Sequence, residues 1–249
     1  MTTLGAVYRP QLPPEKLRSV VLAAEESGVD SLWLWEDCFL ESGIAAASAA
    51  LAWTSRLKVG VGLLPVPLRN VALTAMEAAT LDRLFPGRVT IGIGHGVQDW
   101  MGQVGARVSS PLTLLREYTG ALKALLAGER VTVDGRYVQL TGVALDWPPS
   151  APMPVYVGGH GAKTLALAGE AGDGTILDAS ADLDLVRAIR ASREHPVVVY
   201  VETDSRDRGF VTDLVSRVAA AGATSVILQQ SAASEDPEGF VEFVGSLTG

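Results

Sequence analysis

Residues able to transfer protons or bind charged groups stand just past the ends of eight short apolar runs in this chain. They include carboxylates, arginines and histidines, a mixture that suits acid–base catalysis and the binding of a charged ligand. After the first seven runs these residues are Arg9, Glu36, Asp37, Arg69, His95, His160, Asp178 and Glu202, and after the eighth run the polar residues are Gln229 and Gln230. Because they recur at the same place relative to each run, we expect the fold to gather them at one rim.

Two adjacent carboxylates, Glu36 and Asp37, follow the aromatic segment Trp33–Trp35. Neighbouring side chains of an extended chain point to opposite sides, so only one of the two should face the rim. Apolar aromatic neighbours would raise the pKa of that carboxyl toward general acid or base use. A carboxylate stabilised at the start of a helix is the other interpretation, and the sequence leaves both open.

Two glycine-rich segments also follow apolar runs. The first, Gly92–Gly96, lacks the immediate helix and the downstream acidic residue of a dinucleotide-binding motif. Its glycines either let a flat ring approach the backbone or simply pack tightly. The second, Gly158–Lys163, leads into a helix predicted from Ala162, and N–H groups at a helix start suit a phosphate. His160 and Lys163 would add donors, and a plain glycine turn with a surface lysine is the alternative.

Metal, thiol and serine chemistry are not indicated by the sequence. The three histidines, His95, His160 and His195, have neither the i, i+4 spacing nor the clustered carboxylates of a metal site, so we predict none. His195 precedes a strand and is interpreted as structural. The single Cys38 has no activating base nearby in sequence, and we interpret it as a buried, inert thiol. No serine lies in a nucleophile-elbow motif, which argues against a hydrolase.

The eight apolar runs alternate with helical segments, which predicts an α/β fold of the (β/α)₈ type, the TIM barrel. At 249 residues the chain has the length of one such domain, and we assign residues 1–249 to it. Runs such as Val197–Val201 are nearly continuous series of β-branched residues, as expected of strands buried on both faces. Val211, Leu214 and Val218 instead have helical spacing. The eight runs are Leu4–Tyr8, Ser31–Trp35, Lys58–Leu64, Val89–Gly94, Val155–Gly158, Thr175–Leu177, Val197–Val201 and Ser225–Leu228.

One segment interrupts the alternation between the fourth helix and the fifth strand of the barrel. Val131–Leu140 alternates about Asp134-Gly135, a two-residue hairpin signal, and proline-rich Gly142–Pro154 reads as a connector. We therefore predict a small hairpin excursion and no second domain. The longest predicted loop at the rim, Val97–Ser110, carries Trp100 and Met101. It either covers a ligand or is ordinary surface, and the sequence leaves both open.

The amino-acid composition limits the classes of partner that this chain is expected to bind. The chain carries 20 Lys and Arg against 28 Asp and Glu, a net charge of -8 without a basic cluster, which argues against a nucleic-acid partner. No apolar stretch approaches the roughly 18 residues of a membrane span. One cysteine cannot form an internal disulfide framework. We therefore expect a cytoplasmic protein that acts on a small molecule, with no nucleic-acid or membrane partner.

Several segments together resemble the bacterial luciferase-like monooxygenase superfamily. The likeness covers roughly residues 31–178 and rests on blocks at the third and fourth strands and on later motifs. The segments are Thr54–Pro65, Pro67–Asn70, Thr80–Leu84, Gly87-Arg88, Gly92–Gly94, Leu115–Tyr118, Gly128-Glu129, Gly135–Tyr137, Val155–Gly159 and Ala171–Gly174. In detail they are most similar to the branch that uses the deazaflavin coenzyme F420.

The resemblance implies a (β/α)₈ barrel with a flavin or deazaflavin ring across its mouth. It also implies a cis peptide bond between Gly62 and Leu63, which would back the ring. The residues that would hold the cofactor phosphate are Gly158, Gly159, His160 and Lys163. Those that would border the ring are Gly94, His95 and Gly96. Dimers are common among similar proteins, so a homodimer is one possibility, and the sequence leaves the oligomeric state open.

Two departures from the family pattern bear on the reaction. Many F420-using relatives carry Asp-His after the second strand, where this chain has Glu36-Asp37. A catalytic glutamate that follows the fourth strand in some sugar-phosphate dehydrogenases corresponds here to Val97, which argues against that substrate. Glu36, Asp37 or His95 would then transfer the proton.

Three functions are compatible with the resemblance. The first is an oxidoreductase that moves hydride between F420 and a small organic substrate. The second is an FMN-dependent monooxygenase on the same scaffold. The third is a barrel that binds a cofactor without turnover.

Overall fold

Eight parallel strands close into a barrel with helices packed around the outside. The computed structural model describes residues 2–248. The barrel strands are β1 Thr3–Val7, β2 Ser31–Leu34, β3 Lys58–Pro65, β4 Val89–Gly94, β7 Val155–Gly158, β8 Gly174–Leu177, β9 Val197–Glu202 and β10 Ser225–Gln229, and β5 Val131–Asp134 and β6 Gln139–Val143 form a separate two-stranded sheet. Around the barrel they follow the order β1-β10-β9-β8-β7-β4-β3-β2. The predicted (β/α)₈ barrel is confirmed, and each predicted run matches a barrel strand to within one residue at either end.

The helices supply the crossovers that parallel strands require. They are α1 Leu17–Ser27, α2 Gly43–Trp53, α3 Val71–Leu84, α4 Gln98–Gln103, α5 Pro111–Leu126, α6 Ala162–Ala171, α7 Leu183–Ser192, α8 Arg208–Ala220 and α9 Pro237–Gly245. Short 3-10 helices cover Pro14–Lys16 and Val66–Leu68. None of the helices between residues 2 and 248 combines the length and apolarity needed to cross a membrane.

Side-chain caps fix the start of five helices. In each, a Ser, Asn or Asp side chain accepts a hydrogen bond from an N–H group of the first turn, which satisfies a donor that the helix itself cannot. The capping residues are Ser42, Asn70, Asp182, Asp207 and Asp236. Helix α6 differs, because it begins after Gly161 without a side-chain cap. The Thr164 N–H donates to the Gly161 carbonyl over 2.8 Å, and the N–H groups of Ala162 and Lys163 remain available at the end of β7.

Two separate apolar clusters hold the barrel together. The larger one lies between the strands and the surrounding helices. The smaller one consists of Val7, Trp33, Ile176, Val198, Tyr200 and Ile227. Trp33 of β2 meets Tyr200 of β9 edge-on with ring centroids 6.0 Å apart, and these strands are not neighbours, so the contact crosses the barrel interior. The interior is thus a packed core, which leaves ligand space at the strand ends.

The hairpin excursion forms as predicted, but its turn lies two residues further along. Strand β5 continues through Asp134, which pairs with Gln139, and the Gly135 N–H donates to the Val138 carbonyl. The carboxylate of Glu117 on α5 explains the shift, because it accepts hydrogen bonds from the backbone N–H groups of residues 136, 137 and 138. The prediction of an Asp134-Gly135 turn was wrong because this tertiary contact outweighs the local signal.

The segment predicted as a loop at the rim, Val97–Ser110, contains the short helix α4. Met101 on this helix is fully buried, while Trp100 faces the cavity described below. The segment is therefore a packed element of the rim with an aromatic contribution to it.

Candidate active site

A cavity of about 460 Å³ opens at the carboxyl ends of the barrel strands, where the sequence predicts the polar rim. All eight barrel strands, or the turns that follow them, contribute lining residues. The volume lies in the range of small-molecule sites. The predicted site residues that line it are Glu36, Asp37, Gly62, Leu63, Gly94, His95, Gly96, Gly158, Gly159 and His160.

The floor of the cavity is apolar and rigid. Tyr200 is buried there, and its hydroxyl donates to the Gly62 carbonyl over 3.2 Å. Burial raises the pKa of Tyr200, so the hydroxyl stays protonated as a donor. Trp35 meets the Tyr200 ring edge-on with centroids 5.9 Å apart, and Leu63 and Ile176 complete the floor. A flat apolar ring could lie against this surface.

Leu63 is seated among glycines. The peptide bond between Gly62 and Leu63 is cis, as the family resemblance implies. A Cβ at Gly94 would lie 2.7 Å from Leu63 Cδ1, and one at Gly158 would lie 2.8 Å from Leu63 Cδ2. Gly94 is therefore tightly packed against Leu63 and also lines the cavity, so both interpretations of this glycine segment stay open. These glycines shape the floor by making room for Leu63.

One side of the cavity, which we call the β1–β2 wall, consists of Arg9, Gln11, Trp35 and Asp37. Asp37 is half-buried, and its Oδ2 accepts hydrogen bonds from Trp35 Nε1 at 3.0 Å and Gln11 Nε2 at 3.4 Å. Burial raises the pKa of Asp37, although these hydrogen bonds and the nearby Arg9 charge oppose the rise. A braced carboxyl with a raised pKa is suited to proton transfer.

Glu36 turns toward α2 and α3. Its carboxylate pairs with the Arg69 guanidinium and accepts a hydrogen bond over 2.8 Å from the N–H of Gly43, the first residue of α2. The Glu36 and Arg69 side chains are only 10% and 13% exposed. Arg69 Nε also lies 3.3 Å from Glu77 Oε2. Each of the two interpretations therefore describes one of the carboxylates. Glu36 holds a helix start, and Asp37 is the braced carboxyl in the wall of the cavity.

The opposite side, which we call the β7–β8 wall, consists of Gly158, Gly159, His160, Asp178 and Ser180. His160 Nε2 lies 2.5 Å from Asp178 Oδ2, and the Ser180 hydroxyl donates to Asp178 Oδ1 over 2.6 Å. Gly159 has a φ of 154°, and a Cβ there would lie 2.8 Å from Thr164 Cγ2, so a larger residue would strain the turn. This wall is exposed and is shaped mainly by backbone.

His95 and Gly96 border the cavity after β4. His95 Nδ1 lies 3.1 Å from the Gly96 carbonyl oxygen. A proton on Nδ1 would be donated to that carbonyl, which leaves Nε2 to act on a ligand. Gly96 has a φ of 70° and a Cβ there would lie 3.1 Å from Met101 Sδ, so glycine fits the position for two reasons.

Comparison with known proteins identifies the family to which this site belongs. The sequence matches the family model described as luciferase-like monooxygenase over residues 2–196, a stretch that holds all the predicted site residues. The chain belongs to this family.

Relatives of this luciferase-like protein include F420-dependent enzymes. It is 28% identical to the 5,10-methylenetetrahydromethanopterin reductase of Methanolobus tindarius over 244 residues, 92% of this chain and 74% of that enzyme. It is 35% identical to the F420-dependent glucose-6-phosphate dehydrogenase of Kineococcus radiotolerans over 190 residues, 70% of this chain and 56% of the dehydrogenase. The chain thus spans little more than half of the dehydrogenase. These likenesses confirm the F420-dependent branch within the family.

A solved structure shows the same fold. The coenzyme F420 dependent tetrahydromethanopterin reductase from Methanopyrus kandleri superposes with a TM-score of 0.84. The match covers 98% of this chain and 97% of the reductase at 20% sequence identity. The luciferase-like barrel is therefore kept over nearly the whole of both chains.

Some predicted residues of this luciferase-like protein lie away from the cavity. Lys163 is exposed on α6 and is not among the lining residues, so its contact with a phosphate stays a prediction. His195 lies 2.9 Å from the Thr175 hydroxyl through Nε2, and burial lowers its pKa, in agreement with a structural role. Cys38 is half-buried, less enclosed than predicted, and burial together with Glu36 and Asp37 raises its pKa. Among residues 2–248, no group of three or more His, Cys, Asp or Glu side chains could hold a metal ion.

Sequence reasoning assigned no role to several residues that shape the site. Arg9 and Asp178 were placed at the rim because they follow apolar runs, and both line the cavity, but neither was given a role there. Tyr200 lies within β9, and only the inward alternation of Val198 and Tyr200 would have pointed to it. The pairing of Glu36 with Arg69 has no local signal, because the partners are 33 positions apart.

Proposed function

We propose that this protein is an oxidoreductase that transfers hydride between coenzyme F420 and a small organic substrate. The observation that carries the proposal is the mouth cavity itself. An apolar floor of Leu63, Ile176 and Tyr200 lies between a wall with a braced carboxyl and a wall with a glycine turn. Family membership and the F420-dependent relatives support the same cofactor.

The residues present fit a deazaflavin with a phosphate-bearing tail. The apolar floor suits a flat tricyclic ring, with Gly62 and Leu63 behind it and Gly94, His95 and Gly96 at its edge. The turn through Gly158 and Gly159 reaches the uncapped start of α6, whose N–H groups suit a phosphate. We assign the phosphate to these N–H groups, with donors from His160 and Lys163 at its outer side.

Bound F420 would supply the hydride acceptor or donor at its C5 position. Asp37 takes the proton of the substrate hydroxyl when the substrate is oxidised and returns it in the reverse direction. Its raised pKa favours both steps, because a group exchanges protons best when its pKa approaches the working pH. Trp35 and Gln11 hold the carboxyl in one orientation through their hydrogen bonds. Glu36 is less suited to the task because Arg69 and the Gly43 N–H occupy its oxygens.

Parallel titrations with F420 and FMN test the proposal. We expect F420 to bind saturably, with a change in its fluorescence, and FMN to bind more weakly. Saturable binding of FMN without binding of F420 would contradict the proposal and support a flavin monooxygenase. If F420 bound but no alcohol or carbonyl compound of a broad panel changed its redox state, the barrel would be a cofactor carrier without turnover. A homodimer stays a prediction, which sedimentation of the purified protein would test.

A further inference from the structure

Arg9 is a cation in the cavity lining that has no part in the cofactor contacts proposed above. In the barrel order, β1 stands diametrically opposite β7, so Arg9 faces the phosphate turn from across the mouth. Among residues 2–248, it is the only Lys or Arg that lines this cavity. A positive charge at that place is available to the other occupant of the cavity, the substrate.

The contacts of Arg9 fix the guanidinium and leave part of it unused. Nε donates to Gln11 Oε1 over 3.3 Å, and Nη1 donates to the backbone carbonyl of Gln230 over 2.6 Å. The guanidinium also lies over the Trp35 ring, 5.9 Å from its centroid. Within residues 2–248, Nη2 makes no hydrogen bond to protein. A guanidinium held by its other nitrogens is a preorganised donor for a planar anion.

The surrounding charges favour a singly charged anion. Glu202 Oε2 lies 3.7 Å from Arg9 Nη1 on a side chain that is 50% exposed, and such an exposed pair is weak. Asp37 is close enough for the Arg9 charge to act on its pKa. The Arg9 charge also lowers the pKa of Asp204, so Arg9 has three acidic neighbours. Their repulsion is about twice as large for a dianionic phosphate as for a carboxylate, so direct contact with Arg9 favours the singly charged group.

We propose that Arg9 binds a carboxylate group of the substrate, so that the substrate class is small carboxylic acids that carry a hydroxyl or carbonyl group. The inference rests on the proposed function. With the carboxylate on Arg9, the hydroxyl lies toward Asp37 on the same wall. In the oxidation, the carbinol C–H bond would break with F420 as the hydride acceptor, and the hydroxyl O–H bond would break as its proton passes to Asp37. A C=O bond would form in the substrate, and F420 would take up the two electrons.

The test uses substrate-like probes that cannot react. Benzoate, benzamide and phenyl phosphate are titrated calorimetrically into the F420-loaded protein. We expect benzoate to bind, benzamide to bind at least roughly tenfold more weakly, and phenyl phosphate to bind more weakly than benzoate, since a hydrogen bond to a charged group is worth about that factor. Equal binding of benzoate and benzamide, or tighter binding of phenyl phosphate, would overturn the assignment.

Variants locate the binding at Arg9. Arg9→Gln should lose roughly tenfold or more in benzoate affinity. Arg9→Lys should recover part of it, because Lys keeps the positive charge but lacks the paired N–H donors of the guanidinium. Glu202→Gln should bind benzoate more tightly than wild type, since it removes the competing carboxylate. A Glu202→Gln variant with weakened benzoate binding, or an Arg9→Gln variant with unchanged binding, would contradict the proposal.

An F420 titration of the same proteins distinguishes a failure of the Arg9 assignment from a failure of the proposed F420-dependent function. If wild type and Arg9→Gln bind F420 equally and neither binds benzoate, the Arg9 assignment alone fails. If wild type does not bind F420, the proposed function fails, and benzoate binding to the unloaded protein then shows independently whether Arg9 binds carboxylates.

Discussion

The β1–β2 wall and the β7–β8 wall face each other across one cavity, yet they are built in different ways. In the first, Asp37 is half-buried and held by indole and amide donors that also contact Arg9. In the second, the glycine turn is set by backbone conformation, and the side chains of His160 and Asp178 are 68% and 45% exposed. Burial raises the proton affinity of the Asp37 carboxyl in the first wall. In the second wall, the uncapped start of α6 offers backbone N–H groups to a phosphate without the help of a side chain. Mutations in one wall should therefore affect proton transfer, and mutations in the other should affect cofactor binding.

The largest effect is expected for Asp37→Asn. The variant keeps the size and the acceptor oxygen of Asp37 but cannot take a proton, so turnover should fall roughly 10²–10⁴-fold. The measurement is the rate of F420 reduction by a hydroxy acid, with binding of F420 titrated in parallel. Asp178→Asn on the other wall is the matched control and should lose far less. Comparable losses in the two variants would remove the distinction between the walls.

The next effect concerns the neighbouring carboxylate. Glu36→Gln leaves the nearly buried Arg69 with Glu77 alone and weakens the bond to the Gly43 N–H, so the free energy of unfolding should fall by about 2 kcal/mol. Urea unfolding measures it. An unchanged midpoint would show that the Glu36–Arg69 pair does not hold α2 and α3 to the barrel.

Gly159→Ala tests the β7–β8 wall. The added Cβ would lie 2.8 Å from Thr164 Cγ2 at a φ of 154°, so the turn must shift and F420 affinity should drop roughly tenfold. Gly120→Ala, where a Cβ meets nothing within 4 Å, provides the control. Equal F420 affinity in both variants would show that the turn does not hold the cofactor.

The smallest effect is a gain in stability. Because burial raises the folded-state pKa of Asp37, its contribution to stability is fully present below the usual pKa of 3.8 and is lost as pH rises through the raised value. Asp37→Asn cannot ionise, so between about pH 4 and pH 7 its Tm should rise relative to wild type, by roughly 1–3 °C since the group is only half-buried. Thermal scans at both pH values measure this. A relative loss of Tm toward neutral pH would show that Asp37 is stabilised as an anion.

The sequence predicted the barrel and its strand ends well because β-branched runs and helical stripes are local patterns that the core requires on both faces of the sheet. It could not distinguish Glu36 from Asp37, since the distinction depends on Arg69 and on the start of α2. The displaced hairpin turn has the same origin, because Glu117 is distant in sequence from the residues it holds. Positions set by local patterning were predictable, and those set by one charged contact were not.

The most direct test of the two-wall account is a crystal structure of the protein with F420. We expect the phosphate to lie on the N–H groups of the turn that begins at Gly158, the ring to lie against Leu63, and Arg9 to make no contact with the phosphate. A phosphate bound by Arg9, or a ring that lies away from Leu63, would contradict it.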